Sequence, residues 1–220
     1  MNGNVAGDVT EDISALFAKY GTDKRACGYG HIYHALLYQR RESIRSVLEI
    51  GVGTVPEMRH AAAHYRPGGS LRSWRDFFPN ATVLGLDVAP EVMFSEDRVE
   101  TKICDSYDPR AVADTLGDRQ FDFIVDDGNH HQEYQLATLR NVYPHLARGG
   151  IYVIEDIPYA CPWAVARQCS APAPGPSVLA AHPERIRDIV GHNEFFFAGA
   201  GGYCCVIFNQ PMSPYDRTGY

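Results

Sequence analysis

The stretch Phe121–His131, FDFIVDDGNHH, constrains the fold more than any other. An apolar run of strand length leads into two aspartates, a glycine, an asparagine and two histidines. It reads as a buried strand whose tip carries metal ligands and proton acceptors. Residues 149–157, GGIYVIEDI, repeat the design, with Glu155 and Asp156 at the tip. Two such strands side by side bring their polar ends together.

The rest of the chain supplies a sheet for them. SVLEIGVG (46–53), TVLGLDV (82–88) and RVETKICD (98–105) are further short apolar runs. Helical spacing separates the strands: residues 70–79, with Ser70 as cap and Pro79 as stop, then 109–117 and 132–146. Between 54 and 69 lies a segment punctuated by Pro56, Pro67 and two glycines, with room for one helical turn. Strands alternating with helices predict a mainly parallel sheet covered on both faces. NEFFFAGAGGYCCVIFNQ (193–210) reads as two strands around a glycine-rich turn, closing the sheet antiparallel. A short helix is expected from Pro183 to residue 190.

Two helices precede the first strand. Thr10 is the expected cap of one, and Ile13, Leu16, Phe17 and Tyr20 share its face before Gly21 ends it. HIYHALLYQRR (31–41) is the other. One domain is expected over residues 1–220: a helical cap (1–45), a core (46–210), and a mobile acceptor lid (158–181) rich in Pro, Ala and Ser, with Tyr159 and Trp163 on it.

Composition narrows the partners. A net charge of −7 works against a phosphate backbone, so no nucleic acid is expected. No apolar run approaches the roughly 20 residues that span a bilayer, and the polar, acidic start is no signal peptide. The six cysteines form no CxxC pair, as expected of buried free thiols in a cytoplasmic protein. A homo-oligomer is also expected.

In open parallel sheets ligands sit at the carboxyl ends of the strands. Glu49, Gly51 and Gly53 form an acidic-x-Gly-x-Gly turn there, where glycine lets backbone approach a ligand. Asp87 ends the second strand and can hold ribose hydroxyls. It lies 36 positions after Gly51, where about 20 is usual, and the 54–69 segment accounts for the excess. The third glycine of the dinucleotide motif is missing, which disfavours a nicotinamide cofactor. Asp105 and Ser106 can meet an adenine edge.

Asp127, Glu155 and Asp156 place three carboxylates on adjacent strand ends. Buried together without a cation they would repel at high cost. Carboxylate oxygens suit Mg²⁺ first, then Mn²⁺. Side chains alternate along a strand, so Asp126 and Asp127 cannot both enter one site, and Asp127 is chosen. His130, three residues on, is the expected general base. His131 is its rival and the expected start of the next helix.

The strand-and-glycine order over 46–210 resembles the class I S-adenosylmethionine-dependent methyltransferases, implying a Rossmann-like α/β sheet, mostly parallel with an antiparallel last strand and helices on both faces. A narrower resemblance rests on GTDK (21–24), GYGHIYHALL (28–37), VLEIGVG, GGSLRSWRDFFPNATVLGLDV (68–88), FDFIVDDGNHH and GGIYVIEDI. These motifs resemble the metal-dependent sugar O-methyltransferases, which include the macrolide deoxysugar enzymes and the mycobacterial methylmannose polysaccharide 1-O-methyltransferases. The resemblance implies Asp127, Glu155 and Asp156 as metal ligands and His130 as base. It implies a cofactor set of Thr22, Lys24, Glu49, Gly51, Gly53, Ser70, Asp87, Asp105 and Ser106. Asn129 stands where that family commonly has Ser. The chain lacks the macrolide enzymes' extra N-terminal domain, so a free-standing enzyme nearer the polysaccharide type is expected.

The expected function is therefore S-adenosylmethionine- and Mg²⁺-dependent methylation of a sugar hydroxyl on a small-molecule glycoside or oligosaccharide acceptor. Two alternatives stay open: a catechol-like or polyketide diol as acceptor, and a non-catalytic protein that binds the adenosyl ligand.

Overall fold

The computed structural model describes residues 12–157, 184–190, 194–198 and 203–209. Among the described residues, eight strands form one sheet: β1 Ser46–Ile50, β2 Thr82–Asp87, β3 Ser95–Glu96, β4 Val99–Ile103, β5 Phe121–Asp126, β6 Leu146–Ile157, β7 Glu194–Ala198 and β8 Tyr203–Phe208. Their order is β3-β4-β2-β1-β5-β6-β8-β7. β4, β2, β1, β5 and β6 run parallel. β8 pairs antiparallel with both β6 and β7, and β3 antiparallel with β4. The expected class I architecture is thus present, with the two-residue β3 as an addition too short to carry a sequence signal.

Helices cover the sheet: α1 Ile13–Tyr20, α2 Tyr29–Leu37, α3 Gly69–Phe77, α4 Pro109–Leu116, α5 Gln132–Val142 and α6 Glu184–Val190. Strand alternation sorts the core into two layers. Leu48, Ile50, Ile124, Tyr152 and Ile154 pack with Val112 of α4, Leu136 and Leu139 of α5, and Ile186 of α6. Val47, Phe123, Val125, Ile151 and Val153 face the other way, onto Ile13 and Phe17 of α1, Tyr33 of α2, and Leu71, Trp74 and Phe77 of α3. The N-terminal helices thus form one of the two layers that bury the sheet.

Several boundaries differ from expectation for local reasons. Asp12 caps α1, accepting from the Ser14 amide at 3.2 Å; Thr10 lies outside the described residues. α3 is entered through Gly68 in the left-handed region (φ 80°), so Ser70 sits inside its first turn and caps nothing. The 54–69 segment holds one helical turn, closed by the Met58 amide donating to the Thr54 carbonyl at 3.1 Å, that does not extend into a helix. It is tied to β1's end by the Tyr65 hydroxyl, which donates to the carbonyls of Val52 and Gly53 at 3.0 Å each. α5 gives way to a 3₁₀ turn, Tyr143–His145, at Pro144. Asp108, accepting from the Arg110 amide at 2.8 Å, starts α4.

Trp74 anchors the N-terminal layer. Its ring meets those of Phe17, Tyr33 and Phe123 edge-on, with centroids 5.2, 4.9 and 5.3 Å away. Its indole N–H donates to Glu49 Oε2 at 2.8 Å. Among the described residues, Cys27, Cys104 and Cys204 are free thiols. No helix there is long and apolar enough to cross a membrane. The lid (158–181), Tyr159, Trp163, Cys161, Cys169 and Pro183 lie outside the described residues.

Trp74→Phe removes the indole donor from a fully buried carboxylate and leaves a gap in the ring cluster. The expected loss is about 2–4 kcal/mol of unfolding free energy in urea. A loss below about 0.5 kcal/mol would show that the indole does not anchor Glu49.

Candidate active site

Strand parity decides which acids meet. Glu49, Asp127 and Glu155 follow Val47, Val125 and Val153, so all three turn toward the N-terminal helices. Asp126 follows Ile124 to the opposite face. Into the gap between the three comes Lys24, from a 3₁₀ turn at Asp23–Arg25. Its ammonium lies 3.2 Å from Glu49 Oε1, 2.6 Å from Asp127 Oδ2 and 2.7 Å from Glu155 Oε2. The cation that three neighbouring carboxylates demand is therefore, in part, the chain's own lysine.

The charge states follow. Burial alone would lower the pKa of Lys24, but the three carboxylates raise it well above its ordinary value. Burial pushes Asp127 up, while Lys24 and then His130 outweigh this and hold its carboxyl below the usual range. Glu155 is pushed well above that range by burial, with Lys24 only partly offsetting it. Asp126 is pushed up to about 7 by burial. It accepts from the Gly128 amide at 3.3 Å through Oδ1, so it shapes the turn that presents His130.

Above this layer lies a cavity of about 470 Å³ at the carboxyl ends of the parallel strands. That is within the range that takes small-molecule ligands. Of the expected cofactor set, Gly51, Gly53, Ser70, Asp87, Asp105 and Ser106 line it. Thr22, Lys24 and Glu49 do not, because they turn into the protein behind its wall. Asp127, His130 and Asp156 line the far end.

Gly51 adopts φ 92°, and a Cβ there would fall 2.1 Å from the Asp127 carbonyl oxygen. The first turn and the acidic strand end are thus in backbone contact. Asp87 fixes the same turn by accepting the amides of Val52 and Gly53 at 2.8 and 3.3 Å. Its Oδ1 accepts only the Ala89 amide, at 2.9 Å, among the described contacts, which leaves that oxygen a lone pair for a ribose hydroxyl. The Ser106 hydroxyl shares a 2.8 Å bond with Thr138, which fixes the third-strand end.

At the other end, ligand atoms of Asp127, His130 and Asp156 all lie within 4.8 Å of one another, the geometry of a cation site. His130 Nε2 is 3.4 Å from Asp127 Oδ1, and its Nδ1 is 3.7 Å from Asp156 Oδ2. Burial would lower the pKa of His130, but the Asp127 bond and charge, with Asp156 adding, raise it. Glu155 is not part of this group. Its Oε1 accepts from the Tyr33 hydroxyl and its Oε2 from Lys24. The two carboxylates fit a divalent ion that prefers oxygen, with the imidazole beside them. His131 is the residue that caps α5, with no side-chain bond to the helix, as its expected place required.

Asp156 departs from strand geometry. Its φ is 51°, in the left-handed region, and pairing with β8 is irregular between Ile154 and Ile157. Regular alternation would send consecutive acids to opposite faces; this backbone instead brings Asp156 to the cavity rim. Such a conformation costs a non-glycine residue on the order of 1 kcal/mol. Three site residues carried no sequence signal of their own. Asp23 lines the cavity where Thr22 and Lys24 were expected to, and burial, then the Asp127 charge, raises its pKa. Tyr29 and Tyr33 read as helix-face aromatics, yet their hydroxyls bond Asp156 and Glu155.

Comparison with known proteins places this geometry. A family described as a methyltransferase domain matches residues 26–157. The chain belongs to that family. Among relatives, an 8-demethyl-8-alpha-L-rhamnosyl tetracenomycin-C 2'-O-methyltransferase of Streptomyces olivaceus is 34% identical over 66% of this chain and 37% of its own length. A demethylmacrocin O-methyltransferase of Streptomyces fradiae is 37% identical over 66% of this chain and 36% of its own. The chain thus spans little more than a third of these relatives. The MycE methyltransferase of the mycinamycin biosynthetic pathway, solved in complex with Mg, SAH and mycinamycin VI, superposes with a TM-score of 0.69. It is 25% identical and covers 96% of this chain and 57% of its own.

Lys24→Met leaves Glu49, Asp127 and Glu155 without their ammonium, two of them fully buried where water cannot replace it. The expected cost is about 3–5 kcal/mol near neutral pH, read by urea unfolding. The sign of its pH dependence is fixed. Without Lys24 the folded-state pKa values of Glu49 and Glu155 rise further, so stability is retained below the unfolded glutamate pKa of about 4.3 and lost as pH climbs through the folded values. The deficit is expected to grow between pH 5 and pH 8; a deficit independent of pH would contradict the ion-pair network.

Proposed function

We propose that this chain is the catalytic unit of an S-adenosylmethionine- and divalent-metal-dependent O-methyltransferase whose acceptor is a sugar hydroxyl on a glycosylated natural product. One observation carries the reading: Asp127, His130 and Asp156 converge at one end of a cavity whose other end is the glycine turn with Asp87 and Asp105. The relatives named for methylating rhamnosyl and macrocin substrates, and the neighbour solved with Mg and SAH, support it.

In this reading the donor lies along Gly51–Gly53, its ribose at Asp87 Oδ1 and its adenine near Asp105 and Ser106. Asp127 and Asp156 hold Mg²⁺ or Mn²⁺. Glu155, expected as a third ligand, is assigned instead to anchoring Lys24, because both its oxygens already accept protein donors. When bound, S-adenosylmethionine supplies an electrophilic methyl group and the metal supplies a Lewis acid and template for vicinal oxygens. His130 accepts the acceptor hydroxyl's proton on a ring nitrogen, and the adjacent carboxylates stabilise the resulting imidazolium. Lys24 holds Asp127 ionised, so the ligand is ready as a carboxylate. Positioning of the two reactants across a walled cavity supplies much of the remaining acceleration.

The test is methyl transfer from S-adenosylmethionine to simple rhamnosides and rhamnosylated polyketides, followed by mass spectrometry. EDTA is expected to abolish transfer and added Mg²⁺ to restore it. His130→Ala is expected to lower kcat by about 10²–10⁴-fold while calorimetry shows S-adenosylhomocysteine still bound. Turnover indifferent to EDTA, or transfer confined to catechols, would overturn the assignment.

A further inference from the structure

Asp156 holds an unfavourable backbone conformation, and one side chain grips it at two atoms. The Tyr29 hydroxyl accepts the Asp156 amide hydrogen at 3.1 Å. The same hydroxyl donates its own hydrogen to Asp156 Oδ1. A single phenol oxygen therefore clamps both the main chain and the side chain of one residue. The amide it satisfies is one that the irregular β6–β8 pairing leaves without a ladder partner in the Ile154–Ile157 stretch. The carboxylate it holds has its other oxygen, Oδ2, turned to His130 at 3.7 Å.

The clamp is itself fixed. Tyr29 is 1% exposed, in the first turn of α2, and its ring meets that of Tyr33 edge-on at 6.5 Å. Burial, followed by the charges of Glu155 and Asp156, raises its pKa, so it stays a neutral O–H donor. Gly28, at φ 76°, precedes it as the helix cap and sets the angle at which α2 leaves the Lys24 turn. Asp127 has Lys24 in the equivalent place, and Glu155 has Tyr33.

We propose that Tyr29 is a positioning residue for the metal site, holding Asp156 in the left-handed conformation that turns its Oδ2 toward Asp127 and His130. This rests on the reading of Asp127 and Asp156 as metal ligands. Without the hydroxyl, the backbone at Asp156 relaxes toward ordinary strand geometry and the carboxylate leaves the rim. Tyr29 does not line the cavity, and its effect passes through Asp156.

The experiment measures Mn²⁺ binding by electron paramagnetic resonance in the presence of S-adenosylhomocysteine. It uses the wild-type chain, Tyr29→Phe, Asp156→Asn and the double variant. Groups that orient metal ligands are worth about 10–100-fold in metal affinity. Tyr29→Phe is expected to weaken Mn²⁺ binding by that factor while S-adenosylhomocysteine affinity, by calorimetry, stays within about twofold of wild type, the range of no effect. The double variant is expected to bind Mn²⁺ no more weakly than Asp156→Asn, because the two losses are one. Tyr29→Phe that binds Mn²⁺ like wild type overturns the proposal. So does a joint loss of Mn²⁺ and S-adenosylhomocysteine binding, which would make the hydroxyl a general structural element, or a double variant whose losses multiply. A wild-type chain that binds no Mn²⁺ overturns the metal reading itself, and is told apart by failing before any substitution is made.

Discussion

One ammonium group holds this site together. Lys24 reaches from the segment before the first strand into the space behind β1, β5 and β6, and contacts an acid from the end of each. Each of those acids is buried or half-buried at a strand terminus, where parallel sheets place their ligand sites. Remove the lysine and the strand ends repel; remove the acids and a buried cation is stranded. Neither half is tolerable alone. The N-terminal helices are accordingly part of the core, with Phe17, Tyr33 and Trp74 forming the layer over which Lys24 lies.

Much of this was legible in the sequence. Apolar runs ending in acids marked the parallel strands, and alternation set Asp126 and Asp127 on opposite faces. The same rule, applied to Glu155 and Asp156, would have divided them too, and it was the positive φ at Asp156 that kept the second acid at the rim. A single sequence carries no mark of that: aspartate tolerates the left-handed region, but nothing local demands it. Glu155, expected as a metal ligand, also meets a lysine over 100 positions away, a contact that a single sequence does not mark. The GTDK loop was expected at the cofactor pocket, and which of its residues faces the cavity depends on a turn of 3₁₀ helix. That turn sends Lys24 inward and leaves Asp23 at the wall.

Tyrosines were the least readable. In GYGHIYHALL the spacing of Tyr29 and Tyr33 is that of a helix face, and both do pack as aromatic rings. Their hydroxyls add a second function that hydropathy does not encode. Each ends on an acid of β6, one on Glu155 and one on Asp156. Neighbouring acids thus receive different partners and different jobs from consecutive turns of one helix, which is how two adjacent carboxylates come to be unequal.

The close approach of Gly51 to the Asp127 carbonyl has a bearing on how such a scaffold diversifies. In the proposed reading it joins the donor cradle to the acid rim through main chain alone, with no intervening side chain to choose a rotamer. The span between the proposed donor and acceptor subsites is then set by the backbone. Loops that recognise the acceptor can be exchanged for others of different length and chemistry, and the reactive distance needs no recalibration. A change of acceptor is then a change of outer surface, made around a ruler that does not move.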